Sequence, residues 1–315
     1  MLEVIKKHRR AIILLCVPLL ALPAAAQFQP DLSWIPPDDR TITKLNDQLS
    51  VVTLSMPGNV AVLSGPDGIL LVDNQMPAFD AQLVDDIRSI TGKNAEAVRF
   101  VINSHAHPDH MGSNALWKAR GAINVAHDNV QRSVATPEYF AAMLAMSGAS
   151  PEDMQPMVSY SEELRFHMNG QTIHVVHPQS AHTNTDSVVW FEEANVVHTG
   201  DIYLNKALPV VDLQNGSLDG MIDALETIAA RADAQTRIIP GHGPVSNKAE
   251  LEDYIAGLRE MRGIITDMID QGMSVEEVVA ARPLSGFEEE YDLLTGMFSA
   301  DMIAAGLYDV ISQGR

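Results

Sequence analysis

The chain has 315 residues, with 41 Asp and Glu against 21 Lys and Arg, a net charge of −20 and one cysteine. That length accommodates one large domain or two smaller ones. The acidic field repels phosphate backbones and anionic lipid, which disfavours nucleic-acid processing, and one cysteine cannot build a disulfide framework.

Residues 1–26 read as an export segment rather than as part of the fold. Lys6, Lys7, Arg9 and Arg10 form a basic start, Ala11 to Leu22 an apolar run, and Ala24-Ala25-Ala26 a small-residue cleavage site before Gln27. The apolar run is well short of the roughly 20 residues a membrane span needs. Leu15 before Cys16 is too large for a lipid-attachment site. The expectation is a periplasmic or secreted protein of residues 27–315, forming one domain with no stable membrane anchor. Cleavage takes four basic and one acidic side chain from the 21 and 41, leaving a cysteine-free chain of net charge −23. Thiolate nucleophiles and Cys-ligated zinc are then excluded along with disulfides.

After a Pro-rich lead to Arg40, alternating runs at Leu49 to Met56, Ala61 to Ser64 and Gly68 to Asp73 predict a β-meander with turns at Pro57-Gly58 and Pro66-Asp67-Gly68. Phe79, Leu83, Val84, Ile87 and Ile90 recur at helical spacing. A strand over Val98 to Asn103 follows, then a helix from Ser113 to Arg120, a strand at Ile123 to Ala126 and a helical stretch from Asn129 to Met146, interrupted near Pro137. A second group of strands is expected at Leu164 to Met168, Thr172 to Val176, Ser187 to Phe191 and Asn195 to His198. From Ser217 the helix-then-strand order repeats, ending with Arg237 to Ile239. Three closing helices have start signals at Asn247-x-x-Glu250, Ser274-x-x-Glu277 and Ser285-x-x-Glu288.

The strand from Val98 runs into His105-x-His107-x-Asp109-His110, where three histidines and one aspartate fall within six residues. Zinc takes imidazole nitrogens and carboxylate oxygens in a roughly tetrahedral set, and a tight loop can aim alternate side chains at two centres. His105 and His107 would share one metal, with Asp109 and His110 facing a second. His182, Asp201 and His242 stand at or near other strand ends, where a sheet scaffold gathers remote ligands. His127, His174 and His177 read as capping, packing or exposed residues. His198, Lys206 and Asn215 are candidates for supporting the site, for meeting a substrate carboxylate and for polarising a carbonyl.

This set resembles the metallo-β-lactamase superfamily over nearly the whole chain after residue 26: Asp73 after a buried strand, the His-x-His-x-Asp-His loop, His182, Asp201 and His242, in order. The resemblance implies an α+β fold, a four-layer αββα sandwich with a two-zinc site at the sheet edge. It implies that His105, His107 and His182 hold the first zinc and that Asp109, His110 and His242 hold the second. Asp201 would bridge them, with Asp73 orienting the site. Two zinc ions lower the pKa of a shared water to about 7 for attack on a carbonyl, with Asp109 orienting the nucleophile and passing on a proton.

The function expected is a zinc hydrolase of a small molecule, most specifically opening a β-lactam. A lactonase or thioesterase is the alternative within hydrolases, an iron sulfur dioxygenase is a different enzyme class, and a non-catalytic zinc-binding envelope protein is the non-enzyme alternative. A complete second ligand set argues against the dioxygenase, and loss of a metal ligand, which would favour the non-enzyme reading, is not seen. Exported relatives with three histidines at the first site usually carry cysteine where this chain has Asp201, which puts efficient antibiotic hydrolysis in question.

Overall fold

The computed structural model describes residues 40–54, 56–136, 151–294 and 296–315. The export segment expected at residues 1–26, and the helical stretch expected beyond Pro137 up to Met146, lie outside the described residues.

The expected meander forms and gains a strand in front. Strands β1 (Thr41–Lys44), β2 (Leu49–Thr53), β3 (Val60–Gly65) and β4 (Gly68–Val72) pair antiparallel in sequence order. Three parallel strands continue the sheet: β5 (Val98–Ile102), β6 (Ile123–His127) and β7 (Val158–Tyr160). Parallel neighbours need crossovers. These are α1 (Asp80–Thr91), α2 (Pro108–Met111) with α3 (Asn114–Ala119), and α4 (Asp128–Val134), with α5 (Pro151–Met154) ahead of β7.

The second sheet has six strands in the order β13-β12-β11-β10-β9-β8. They are β8 (Glu163–Met168), β9 (Gln171–Val176), β10 (Val188–Phe191), β11 (Val196–His198), β12 (Arg237–Ile239) and β13 (Ser246–Asn247). Among the described residues its parallel pair, β11 with β12, is spanned by α6 (Leu218–Arg231). Helices α7 (Lys248–Asp270), α8 (Val275–Ala281) and α9 (Ala300–Ser312) follow.

Burial sorts these elements into layers. Leu49, Val51, Leu63, Leu70, Val72 and Ile102 from the first sheet meet Ile173, Val175, Val189, Phe191 and Ile239 from the second. The first sheet's other face, with Val60, Val62 and Leu71, packs on Leu83 and Ile87 of α1 and on Trp117. The second sheet's other face, with Val188, Trp190, Val197 and Ile238, packs on α6, α7 and α9. Strands β2 to β4 are thus covered on both sides, which is why they read as near-continuous apolar runs. The layers run helix, sheet, sheet, helix, as the αββα expectation required.

Two of the closing helices start where expected. Asn247 accepts from Ala249 N and Glu250 N, and Ser274 and Glu277 form a reciprocal capping box. The third is a correction. Ser285–Phe287 makes only a single 3-10 turn, and α9 begins instead after Ser299, whose Oγ accepts from Met302 N at 3.3 Å. A competing backbone contact explains the difference: Leu293 N donates to Lys206 O at 2.8 Å and Asp292 bridges to Ala207. The chain after Phe287 is drawn against the 204–207 segment before a helix can propagate.

Candidate metal centre

Four loops leave the C-terminal ends of β5, β9, β11 and β12 and converge. After β5, Asn103 and Asn114 exchange side-chain hydrogen bonds of 3.1 and 2.9 Å, pinning both ends of the histidine loop. Pro108 then opens α2, where its missing N–H costs nothing and its fixed φ suits a helix start. That turn separates His105 and His107 from Asp109 and His110. His182 comes from the β9–β10 loop, Asp201 from a 3-10 turn after β11, and His242 from the loop after β12.

The seven side chains form two adjoining groups: His105, His107, His182 and Asp201, and Asp109, His110 and His242, with donor atoms inside each group within 4.8 Å. In the first, His182 Nε2 and His107 Nδ1 face each other at 2.9 Å, and Asp201 Oδ2 lies 3.7 Å from His182 Nε2 and 4.0 Å from His105 Nε2. In the second, Asp109 Oδ2 lies 3.1 Å from His242 Nε2 and 3.5 Å from His110 Nε2. Asp201 reaches both, with Oδ1 3.1 Å from His110 Nε2. Gly241 makes room for it, since a Cβ there would collide with Asp201 Oδ1. Side-chain exposure is 29 % at His107 and 18 % at Asp109, but 0 % at His105 and His110, so the cage opens on the His107–Asp109 side.

The electrostatics divide along nearly the same line, except at His107 of the first group, where burial loses to Asp212 and the imidazole is raised. Burial pulls the His182 imidazole down to about 4 and, with the charge on His110, holds His105 well below the usual histidine range. At His110 and His242 burial acts in the same direction but loses to Asp201 and Asp109, leaving His110 well above the usual range and His242 up at about 9. Asp109 and Asp201 stay well below the usual carboxylate range, because the neighbouring histidines outweigh their burial.

The outward nitrogens of His105, His107, His110 and His182 have partners as well. Asp73, fully buried just past β4, accepts from Ser104 N and Ser104 Oγ at 2.7 Å each and lies 2.8 Å from His110 Nδ1. Ser104 Oγ in turn sits 3.0 Å from His105 Nδ1. His182 Nδ1 donates to Val210 O at 2.7 Å, and His107 Nε2 faces Asp212 Oδ2 at 3.5 Å. Asp212 is held down at about 2; its burial is outweighed by the bond to His107. Sequence reasoning found Asp73 but missed Ser104, Val210 and Asp212, none of which carries a local signal.

The remaining candidates stand further off. His198 Nδ1 accepts from Gly200 N at 3.1 Å and so steadies the turn that carries Asp201. Lys206 lines a small cavity of about 60 Å³ with Glu250, Asp253 and Glu290, a cavity to which none of the seven cluster residues contributes. Asn215 acts through its backbone, donating to Asp212 Oδ1 at 2.8 Å. His127 caps α4 through Asn129 N and stacks on His177 with ring centroids 3.5 Å apart, while His174 pairs with Glu163 at 2.8 Å.

The donor chemistry fits bound metal. His105 Nε2 is buried without a hydrogen-bond partner among the described residues, its nearest carboxylate 4.0 Å away. Such an orphaned nitrogen is costly unless something outside the protein takes its lone pair. Residues 55–242, well over half of the chain, match the sequence profile of the metallo-beta-lactamase superfamily. The chain belongs to the metallo-β-lactamase superfamily. Within that superfamily it is 26 % identical over 202 residues to the metallo-beta-lactamase type 2 of Bacillus cereus, covering 62 % of this chain and 71 % of that one. It is 22 % identical over 236 residues to the beta-lactamase-like protein 2 homolog of Caenorhabditis elegans, covering 72 % and 71 %. The structure of a metallo-beta-lactamase from Pontibacter korlensis matches with a TM-score of 0.57 at 18 % identity, over 70 % of this chain and 99 % of that one. The stereoselective inverting sec-alkylsulfatase Pisa1 from Pseudomonas sp. matches at 0.61 and 16 % identity, over 85 % and 50 %. These structures establish the shared fold, and the superfamily makes the chain a metallohydrolase with a His/Asp cluster suited to metal.

Proposed function

We propose that this metallohydrolase is an exported two-zinc enzyme that opens a cyclic amide, with β-lactams as the substrate class. The observation that carries the reading is the pair of adjoining donor groups sharing one buried cage. His105, His107 and His182 would hold the first zinc and Asp109, His110 and His242 the second, with Asp201 placed to touch both. The similarity to the Bacillus cereus metallo-beta-lactamase favours the amide version. Export rests on residues 1–26 and predicts that the protein isolated from its host begins at Gln27 by N-terminal sequencing; an intact Met1 form in the cytoplasm would contradict it.

When bound, the ions supply Lewis acidity towards a carbonyl and bring the pKa of water near 7. The protein's own groups do the positioning. Val210 O and Asp212 hold the outer nitrogens of His182 and His107, and Asp73 holds that of His110, so that each imidazole, once neutral, turns its lone pair inward. Asp109, ionised and at the open side, orients the attacking water, takes its proton and delivers it to the nitrogen released when the ring opens. Leu213, 52 % exposed beside Asp212, offers apolar surface to a substrate entering there.

Asp201 favours a second reading, a lactone or thioester substrate, because carboxylate is a harder ligand than thiolate and suits general ester chemistry. Kinetics of the zinc-loaded protein on penicillins, cephalosporins, carbapenems, lactones and thioesters separate the two. We expect modest β-lactam turnover, abolished by chelator and by Asp201→Ala. Turnover of only a lactone or thioester would eliminate the β-lactam version, and one iron per chain would point to the dioxygenase alternative.

A further inference from the structure

The segment between Asp201 and α6 supplies no donor to the cage, yet it grips two of them. Val210 O takes the His182 Nδ1 proton at 2.7 Å, Asp212 Oδ2 faces His107 Nε2 at 3.5 Å, and Asp212 N donates to His182 O at 2.9 Å. A neutral imidazole offers one lone pair, on whichever nitrogen lacks the proton, so the partner of the outer nitrogen decides which one faces inward. One loop therefore sets the orientation of two of the three histidines in the first group.

Part of what holds the loop is internal. Asp212 Oδ1 accepts from Gln214 N and Asn215 N at 2.9 and 2.8 Å, and Asp212 O accepts from Gly216 N at 2.8 Å. A further hold, beyond the bond to His182 O, comes from 99 residues further along the chain. Arg315 Nη1 donates to Gly216 O at 2.9 Å and Nη2 to Leu213 O at 2.7 Å. The guanidinium fork spans both carbonyls at once, a geometry lysine cannot reproduce with a single ammonium. Arg315 is itself seated: its N–H returns to Val310 O at 2.9 Å, and α9 is locked into the helical layer by buried Ile303, Ala304, Leu307 and Val310. Arg315 and the α9 residues that seat it lie outside the 55–242 stretch that matches the superfamily profile.

We propose that Arg315 is a positioning residue for the first metal group: it fixes the 208–216 loop, and through Val210 and Asp212 it fixes His182 and His107. The metal part of this inference rests on the two-zinc reading above; the clamp on the loop does not. Two measurements keep them apart. In metal-free protein, hydrogen–deuterium exchange at Gln214, Asn215 and Gly216 should be at least about tenfold faster in Arg315→Ala, with Ile303, Ala304 and Leu307 unchanged and Arg315→Lys in between. Zinc affinity is then read in a His242→Ala background, which leaves the first group to bind, and in a His182→Ala background, which leaves the second. Arg315→Ala should weaken zinc about tenfold in the first background and leave the second unchanged. Unaltered exchange overturns the clamp whatever zinc does, and equal weakening in both backgrounds reduces it to general loosening. Faster exchange in a protein that binds no zinc in either background would defeat the two-zinc reading while the clamp stands.

Discussion

Asp73 has φ 68°, a left-handed conformation that a residue other than glycine keeps only when its surroundings hold it there. Here the holding groups are Ser104 N, Ser104 Oγ and His110 Nδ1, all within 2.8 Å of a carboxylate with no exposure. Asp73→Ala removes the acceptor and leaves those donors buried and unmatched, at a cost of about 1–3 kcal/mol each. We expect lower stability of the metal-free protein in denaturant and roughly 10–100-fold weaker zinc binding, the usual effect of losing a ligand's hydrogen-bond partner. Asp73→Asn should retain more of the stability than of the zinc affinity. Wild-type zinc affinity in Asp73→Ala, measured against a chromophoric chelator, would end the argument that Asp73 orients His110.

At the scale of elements, legibility in the sequence followed range. The His-x-His-x-Asp-His loop was readable because its signal is confined to six residues after an apolar strand. The strand and helix alternation was readable because burial imposes a period on each element. β1, β7 and β13 were missed; they are strands of two to four residues, too short to show a period and formed by pairing with a neighbour. The misplaced third helix had a sound start signal at Ser285, but Lys206 O and Ala207 captured the backbone that would have continued it. Asp212 and Arg315 belong to the same class of omission: each acts on a residue about a hundred positions away, and only the folded chain brings them together.

For the molecule as a whole, metal uptake is a competition with protons. An ion needs neutral imidazole, whereas His110 and His242 in the metal-free cage keep their protons well above pH 6.5, His242 up to about 9. The sign follows: ions entering the second group must expel protons, so affinity there rises as pH goes from 6 to 9 and falls on acidification. His105 and His182 already lack protons at neutral pH, and only His107, raised by Asp212 against its burial, adds a dependence in the first group. Dialysis against limiting zinc should therefore give nearer one ion per chain at pH 6 and nearer two at pH 8.5, with proton release in weak buffer. A stoichiometry constant across that range would sink this account.

Neither donor group belongs to one sheet. His105, His107, Asp109 and His110 hang from the end of β5 in the first sheet, whereas His182, Asp201 and His242 hang from β9, β11 and β12 in the second. An ion in either group would act as a rivet through both sheets, since they could not part without tearing out a ligand from each. The apolar layer between them resists separation chiefly through buried area, a non-directional force, whereas a rivet adds directional bonds between the two sheet edges. Its strength grows with the supply of free metal, as RT ln(1 + [L]/Kd) for each site, so the tightness of the sandwich would follow the metal content of the surroundings.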